Sequence, residues 1–304
     1  MSAATFPAAP PDRALAPGQR CRVRVADLDG SCLTVWEGDD LLLEAPNWDT
    51  DDRLVLNGDG RLWELPADGG PLVPIDAPGL PPVNNDHVLS PDGTTIFASA
   101  NDWHLWAVPR AGGVPRRVTA DDGRMHFLHG VSPDATTLAY AALVPEGEDW
   151  WAHADLRLVG VDGTGDRALT SSPRPDDGPE FSPDGRWVYF NTEMFTHAPG
   201  HAQIARTRPD GTGVERLTHD GRVDWFPHLS PTTTYATYLS YPPGTIGHPA
   251  DLPVQICLVE GDDWDAPVRR IELFGGQGTL NVNSWSPRGN RFAFVDYPMA
   301  AHAT

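Results

Sequence analysis

The phrase Ser90-Pro91-Asp92-Gly93 returns, more or less worn, at Ser132-Pro133-Asp134-Ala135, Ser182-Pro183-Asp184-Gly185, Ser230-Pro231 and Ser286-Pro287. The copies lie about 42 to about 56 residues apart, the length of one four-stranded blade with its loops. Asn47-Trp48-Asp49-Thr50 stands at the right distance upstream to be a degenerate sixth copy. Each copy is followed by a β-rich run, as at 95–98, 187–190 and 291–294, then by a second alternating strand, a Gly turn and a short outer strand. The period is 2 and no stretch carries a helical period, so each unit reads as strands A (innermost) to D (outermost).

The last unit ends after its B strand near Tyr297, whereas the chain begins with a C strand and a D strand that have no A or B. Joining the halves completes a sixth blade and removes the open edges of the sheet. The expectation is an all-β, six-bladed propeller over residues 20–298, with tails at 1–19 and 299–304. The SPDG-centred blade resembles the WD40-like repeat of TolB-type propellers across this whole span. Glu44-Ala45-Pro46-Asn47-Trp48, Asn84-Asn85-Asp86-His87 and Asp224-Trp225-Phe226-Pro227-His228 resemble segments of compact, stand-alone bacterial TolB-like proteins.

The formal charge is -20, and all 22 basic residues are Arg. So acidic a surface repels phosphate backbones and anionic lipid, which argues against nucleic-acid and membrane-surface partners. The absence of Lys excludes Schiff-base chemistry on a lysine amine. Gly275-Gly276-Gln277-Gly278 lacks the following helix and Lys of a phosphate loop, so no nucleotide cofactor is expected. Three scattered cysteines, no continuous apolar leader and no apolar run of about 20 residues make the cytoplasm the expected compartment.

Strand topology places the D–A and B–C connections on one face, and ten of the 11 histidines fall in or beside them. His228, Glu180, Asp224 and His126 are the candidate catalytic residues. Asn47, Asn85, Asp86, Asp177, Trp225, Arg222, Arg124, His248 and Gln277 are candidates for substrate binding. Imidazole mixed with oxygen ligands suits a divalent Mn, Zn, Ni or Fe ion, with His87, His129, His228 and Gln203 as ligands. Trp103, Trp150, Trp151 and Trp225 would offer platforms for a sugar ring. One conflict stands: His87 and His129 lie three residues before the Ser of their repeat, but Glu180 and His228 lie two before it. In a regular strand that parity places them on opposite faces.

A His-rich channel mouth on such a propeller resembles oligogalacturonate lyase, in which His and Gln hold a metal for β-elimination. The resemblance implies lyase or related acid/base chemistry on a sugar-like substrate, with His228 as the base. The alternative is a non-catalytic propeller that holds a ligand or a protein partner on the same face.

Overall fold

In this computed structural model, residue 6, residues 13–144 and residues 153–300 are described; the predicted platforms Trp150 and Trp151 lie outside them. The ring closes on its termini. Strand β1 (Cys21–Asp27) pairs on one side with β2 (Cys32–Gly38) and on the other with the C-terminal β23 (Arg291–Asp296). Blade 1 is β3 (Glu44–Trp48), β4 (Arg53–Gly58), β5 (Arg61–Pro66) and β6 (Val73–Pro74). Blade 2 is β7 (Val83–Leu89), β8 (Thr95–Ala100), β9 (Leu105–Pro109) and β10 (Arg116–Arg117). Blade 3 is β11 (Met125–Val131), β12 (Thr137–Leu143), β13 (Ala154–Gly160) and β14 (Arg167–Ala168). Blade 4 is β15 (Asp176–Phe181), β16 (Val188–Thr192), β17 (Gln203–Thr207) and β18 (Glu215–Arg216). Blade 5 is β19 (Val223–Leu229), β20 (Tyr235–Tyr241), β21 (Leu252–Glu260) and β22 (Arg269–Gly275).

The repeated phrase is a turn with a defined hydrogen-bond pattern. Ser90 Oγ donates to Asp92 Oδ1 at 2.6 Å and accepts from Thr95 N at 3.0 Å. The same Ser-to-Asp bond forms in blades 3 and 4. The fourth position is left-handed at Gly93, Ala135, Gly185, Thr233 and Gly289; in blade 1 the turn is 49–52, two residues later than the expected copy at 47–50, with Asp52 left-handed. Glycine enters that region without a Cβ penalty, which is why it is the commonest residue there.

Apolar side chains pack between blades rather than into one central core. For example, Val55 and Leu62 of blade 1 meet Val83, Ile96 and Val108 of blade 2. Trp225, Leu239 and Ile256 of blade 5 meet Phe292 and Phe294 of blade 6. Each wedge needs both neighbours, so an unclosed ring would leave the faces of its end blades in water.

The centre is polar. Inner strands β3, β15 and β19 are buried along their whole length, yet carry Glu44, Asn47, Asp176, Asp177, Glu180, Asp224 and His228. Each of these three strands has a bulge built alike: a left-handed residue (Ala45, Gly178 or Phe226) followed by Pro. Proline lacks the N–H that a regular ladder would use, so it sits well in a bulge. β7 and β11 are also bulged, before His87 and at His129. Only His129 lies within its bulge; His87, Glu180 and His228 follow theirs on regular ladder, so the parity that separates His87 from Glu180 and His228 holds. Blade 6 departs further from expectation. Its inner segment, 279–285, is not a regular strand and pairs with β23 through one bridge, Trp285 to Phe292, and a few backbone bonds.

Candidate functional site

Because that segment is only loosely paired, it turns backbone carbonyls toward the middle of the ring. Leu280 O accepts from His228 Nε2 at 2.9 Å, Asn281 O from His129 Nδ1 at 3.2 Å, and Asn283 O from Asn47 Nδ2 at 2.5 Å. Blade 6 is thereby tied to blades 5, 3 and 1 across the channel. Glu180 completes the plug. Its carboxylate takes His228 Nδ1 at 2.5 Å, Leu229 N at 2.9 Å and Asn283 Nδ2 at 2.7 Å.

Above the plug lies a cleft of about 210 Å3, lined by Asn85, Asp86, Trp103, Phe127, His129, Asp177, His248 and Gln277 among others. It adjoins a second hollow of about 170 Å3, which shares Asn84, Asn85, Asn101 and Gln277 and reaches Glu44 and Arg13. Trp103 holds a left-handed backbone, φ 69°, uncommon for so large a residue. Its carbonyl accepts from His126 Nδ1 at 2.7 Å, which fixes the bend.

The charges of the cleft are coupled. His129 Nε2 is 3.2 Å from Asp177 Oδ1 and 3.9 Å from Asp86 Oδ1. Burial alone would push the His129 pKa down, but Asp86 and Asp177 together outweigh it and raise it to about 9. Burial raises Asp86 to about 7, with His129 pulling it back and Asp177 and Glu44 adding to the rise. Asp177 is lowered: burial works against its charge, but His129 and His248 favour it more. Burial lowers His248, whose Nδ1 is bonded to Gln277 Oε1. At neutral pH the cleft therefore holds an imidazolium, a carboxylate, a carboxyl near its midpoint and a neutral imidazole.

The residues singled out in the sequence separate into groups. Asn85, Asp86, Asp177, His129, His248 and Gln277 line the cleft, and Trp225 backs it, its ring 4.4 Å from that of His248. Glu180, His228 and Asn47 form the plug. Both nitrogens of His228 are engaged within the plug, Nδ1 by the Glu180 carboxylate and Nε2 by the Leu280 carbonyl. Asp224 lies between strands, accepts from Ser240 Oγ at 2.7 Å, and is raised to about 7 by burial. His126 is buried between His104 and Tyr140, with ring centroids 5.7 and 5.1 Å away. Arg222 binds Ser240 and Arg124 binds Asp122.

The four expected metal ligands do not converge. His129 is held between Asn281 O and Asp177, and both nitrogens of His228 are engaged within the plug. His87 Nε2 faces Val55 O at 3.3 Å, and burial lowers its pKa to about 4. Gln203 donates to Ala202 O and Arg222 O and accepts from Arg216. Among the described residues, no group of three or more His, Cys, Asp or Glu is placed to hold a metal ion. The donor set does not fit a divalent metal, because the four side chains are turned to separate partners and do not gather around one point.

Arg13, expected in a tail, meets Asp251 and Tyr297 beside the hollow that adjoins the cleft. An arginine just before the first strand, in a chain without lysine, was the available signal.

Six blades closed by both termini, with a plugged channel beneath a polar cleft, define a TolB-like β-propeller. No family model matches the chain. Over 270 residues it is 36% identical to an uncharacterized protein of Agrobacterium fabrum (strain C58), covering 86% of this chain and 87% of that one. A solved structure from Agrobacterium tumefaciens that carries the name TolB provisionally matches with TM-score 0.83 and 35% identity, over 92% of this chain and 99% of its own. The chain belongs to this TolB-like family. Oligogalacturonate lyase in complex with manganese matches at TM-score 0.57 and 16% identity, over 91% of this chain and 78% of its own, a likeness of fold alone.

Proposed function

We propose that the protein is a ligand-binding propeller that takes a small, neutral, polyhydroxylated molecule of sugar-like chemistry in the cleft above the plug. The observation that carries this reading is the lining itself: Asp86, Asp177, His129 and Gln277 offer donors and acceptors beside the rings of Trp103 and Phe127. Hydroxyls can exchange donors and acceptors with such a set, and ring C–H faces pack on aromatic walls. A polyanionic ligand is disfavoured by the charge of -20. The test is a thermal-shift and saturation-transfer NMR screen against neutral mono- and disaccharides and polyols. Saturable binding that Trp103→Ala weakens at least tenfold supports the reading; no binder in the panel overturns it.

A second reading, acid/base turnover of the same ligand, rests on Asp86, whose pKa near 7 beside the His129 imidazolium suits proton transfer at neutral pH. Lyase chemistry belongs here, with Asp86 in the role that the sequence gave to His228. A new ultraviolet absorbance on incubation with keto-sugars, glycosides or uronates, lost in Asp86→Asn, would establish it. No product from any of them would leave binding alone.

A further inference from the structure

Arg13 does not trail into solvent. Its Nη1 donates to Gln277 O at 3.0 Å and to Glu44 Oε1 at 3.3 Å, and its Nη2 donates to Asp251 Oδ1 at 2.8 Å. The guanidinium carbon lies 4.1 Å from the centre of the Tyr297 ring. Two carboxylates, a carbonyl and an aromatic face thus surround one planar cation, on three of the features by which proteins recognise arginine.

The cage is held without Arg13's help. Asn57 Nδ2 donates to Glu44 Oε2 at 3.2 Å, Gln19 Nε2 holds Asp251 Oδ1 at 2.6 Å, and Tyr297 Oη donates to Leu43 O at 2.9 Å. Its parts come from blades 1, 5 and 6, whereas its occupant precedes the first strand. The Asp251 side chain is 43% exposed, so the cage is open to water on one side. Arg13 itself lines the hollow that adjoins the cleft. Further up the chain, Phe6 packs against the apolar cluster that contains Trp103, a residue of the cleft lining.

We propose that Glu44, Asp251, the Gln277 carbonyl and the Tyr297 ring form a guanidinium-binding subsite that the chain's own Arg13 fills, and that an external guanidinium takes its place when Arg13 is withdrawn. Arg13 is then a built-in competitor: a guanidinium ligand must displace it, and its affinity is reduced by the fraction of time that Arg13 is docked. The subsite stands apart from the sugar-like reading and does not depend on it.

The probes are ethylguanidinium, with butylammonium as a control of equal charge without the planar fork, titrated calorimetrically into the full chain. Arg13→Ala should bind ethylguanidinium at least tenfold more tightly than the wild type does, and butylammonium at least tenfold more weakly than ethylguanidinium. Adding Glu44→Gln to Arg13→Ala should remove the gain. If Arg13→Ala does not fold, Arg13→Lys, which keeps a charge but not the fork, should show the same gain in smaller measure. A folded Arg13→Ala or Arg13→Lys protein that binds ethylguanidinium no better than the wild type overturns the proposal, as does equal binding of the two probes.

Discussion

Glu180 of blade 4 and His228 of blade 5 meet at 2.5 Å through Oε2 and Nδ1, and the far nitrogen of the same ring reaches Leu280 O of blade 6 at 2.9 Å. One side chain therefore joins three blades at the centre of the ring. Both partners are buried, so removing His228 takes one of three partners from a desolvated carboxylate. His228→Ala should cost about 3 kcal/mol in urea unfolding, the order expected for taking a hydrogen-bond partner from a buried polar group and leaving a cavity. His228→Gln, which can still donate to Glu180, should recover part of that. An unchanged midpoint in His228→Ala would show that the plug contributes nothing to stability.

Closure makes a second demand. β1 lies between β2 and β23, so deleting residues 1–38 strips two strands from blade 6 and exposes the apolar wedges on either side. The truncated chain should be insoluble or lack cooperative unfolding by near-ultraviolet circular dichroism. A cooperative transition at the original midpoint would contradict the closure.

Blade number, strand order and closure were legible because the Ser-Pro-Asp-Gly turn leaves its mark in sequence: Ser and Asp bond each other, and the fourth position must be left-handed. The centre was less legible. Parity separates His87 from Glu180 and His228 as the structure does, but it fails for His129, which a bulge between Leu128 and Gly130 takes out of the regular alternation. No Pro marks that bulge in the sequence. The role of His228 could not be read at all, since it depends on Leu280 O, a carbonyl freed by irregular backbone 52 residues away. Arg13 was hidden for a similar reason: its partners Glu44, Asp251 and Gln277 are adjacent only after the ring has closed.

Buried carboxyls should give the protein an unusual pH dependence. Burial raises Asp224 from its ordinary 3.8 to about 7. Its contribution to stability is therefore full below its ordinary value and is lost as pH rises through about 7. Asn is neutral throughout and can still accept from Ser240. The melting temperature of Asp224→Asn relative to the wild type should thus rise by on the order of 3 °C between pH 5 and pH 8. A pH-independent difference would mean that Asp224 titrates normally.

The raised pKa of His129 has named causes and can be lowered by removing one of them. Asp177→Asn keeps the shape of the cleft but takes away one of the two carboxylates that favour the imidazolium. The His129 ring signals, followed by NMR, should titrate near 9 in the wild type and at least one pH unit lower in the variant. The wild-type ring should lose its stabilising contribution as pH rises through about 9. Titration at the same pH in both proteins would remove Asp177 from the site.

Ligand binding in the cleft above the plug is tested most directly by calorimetric titration of the tightest neutral sugar or polyol into wild type, His129→Gln, Asp177→Asn and, on the opposite face, Trp187→Ala. Saturable binding is expected, weakened at least tenfold by the two cleft substitutions and unchanged by Trp187→Ala. Binding that survives both cleft substitutions, or that Trp187→Ala abolishes, would contradict that expectation.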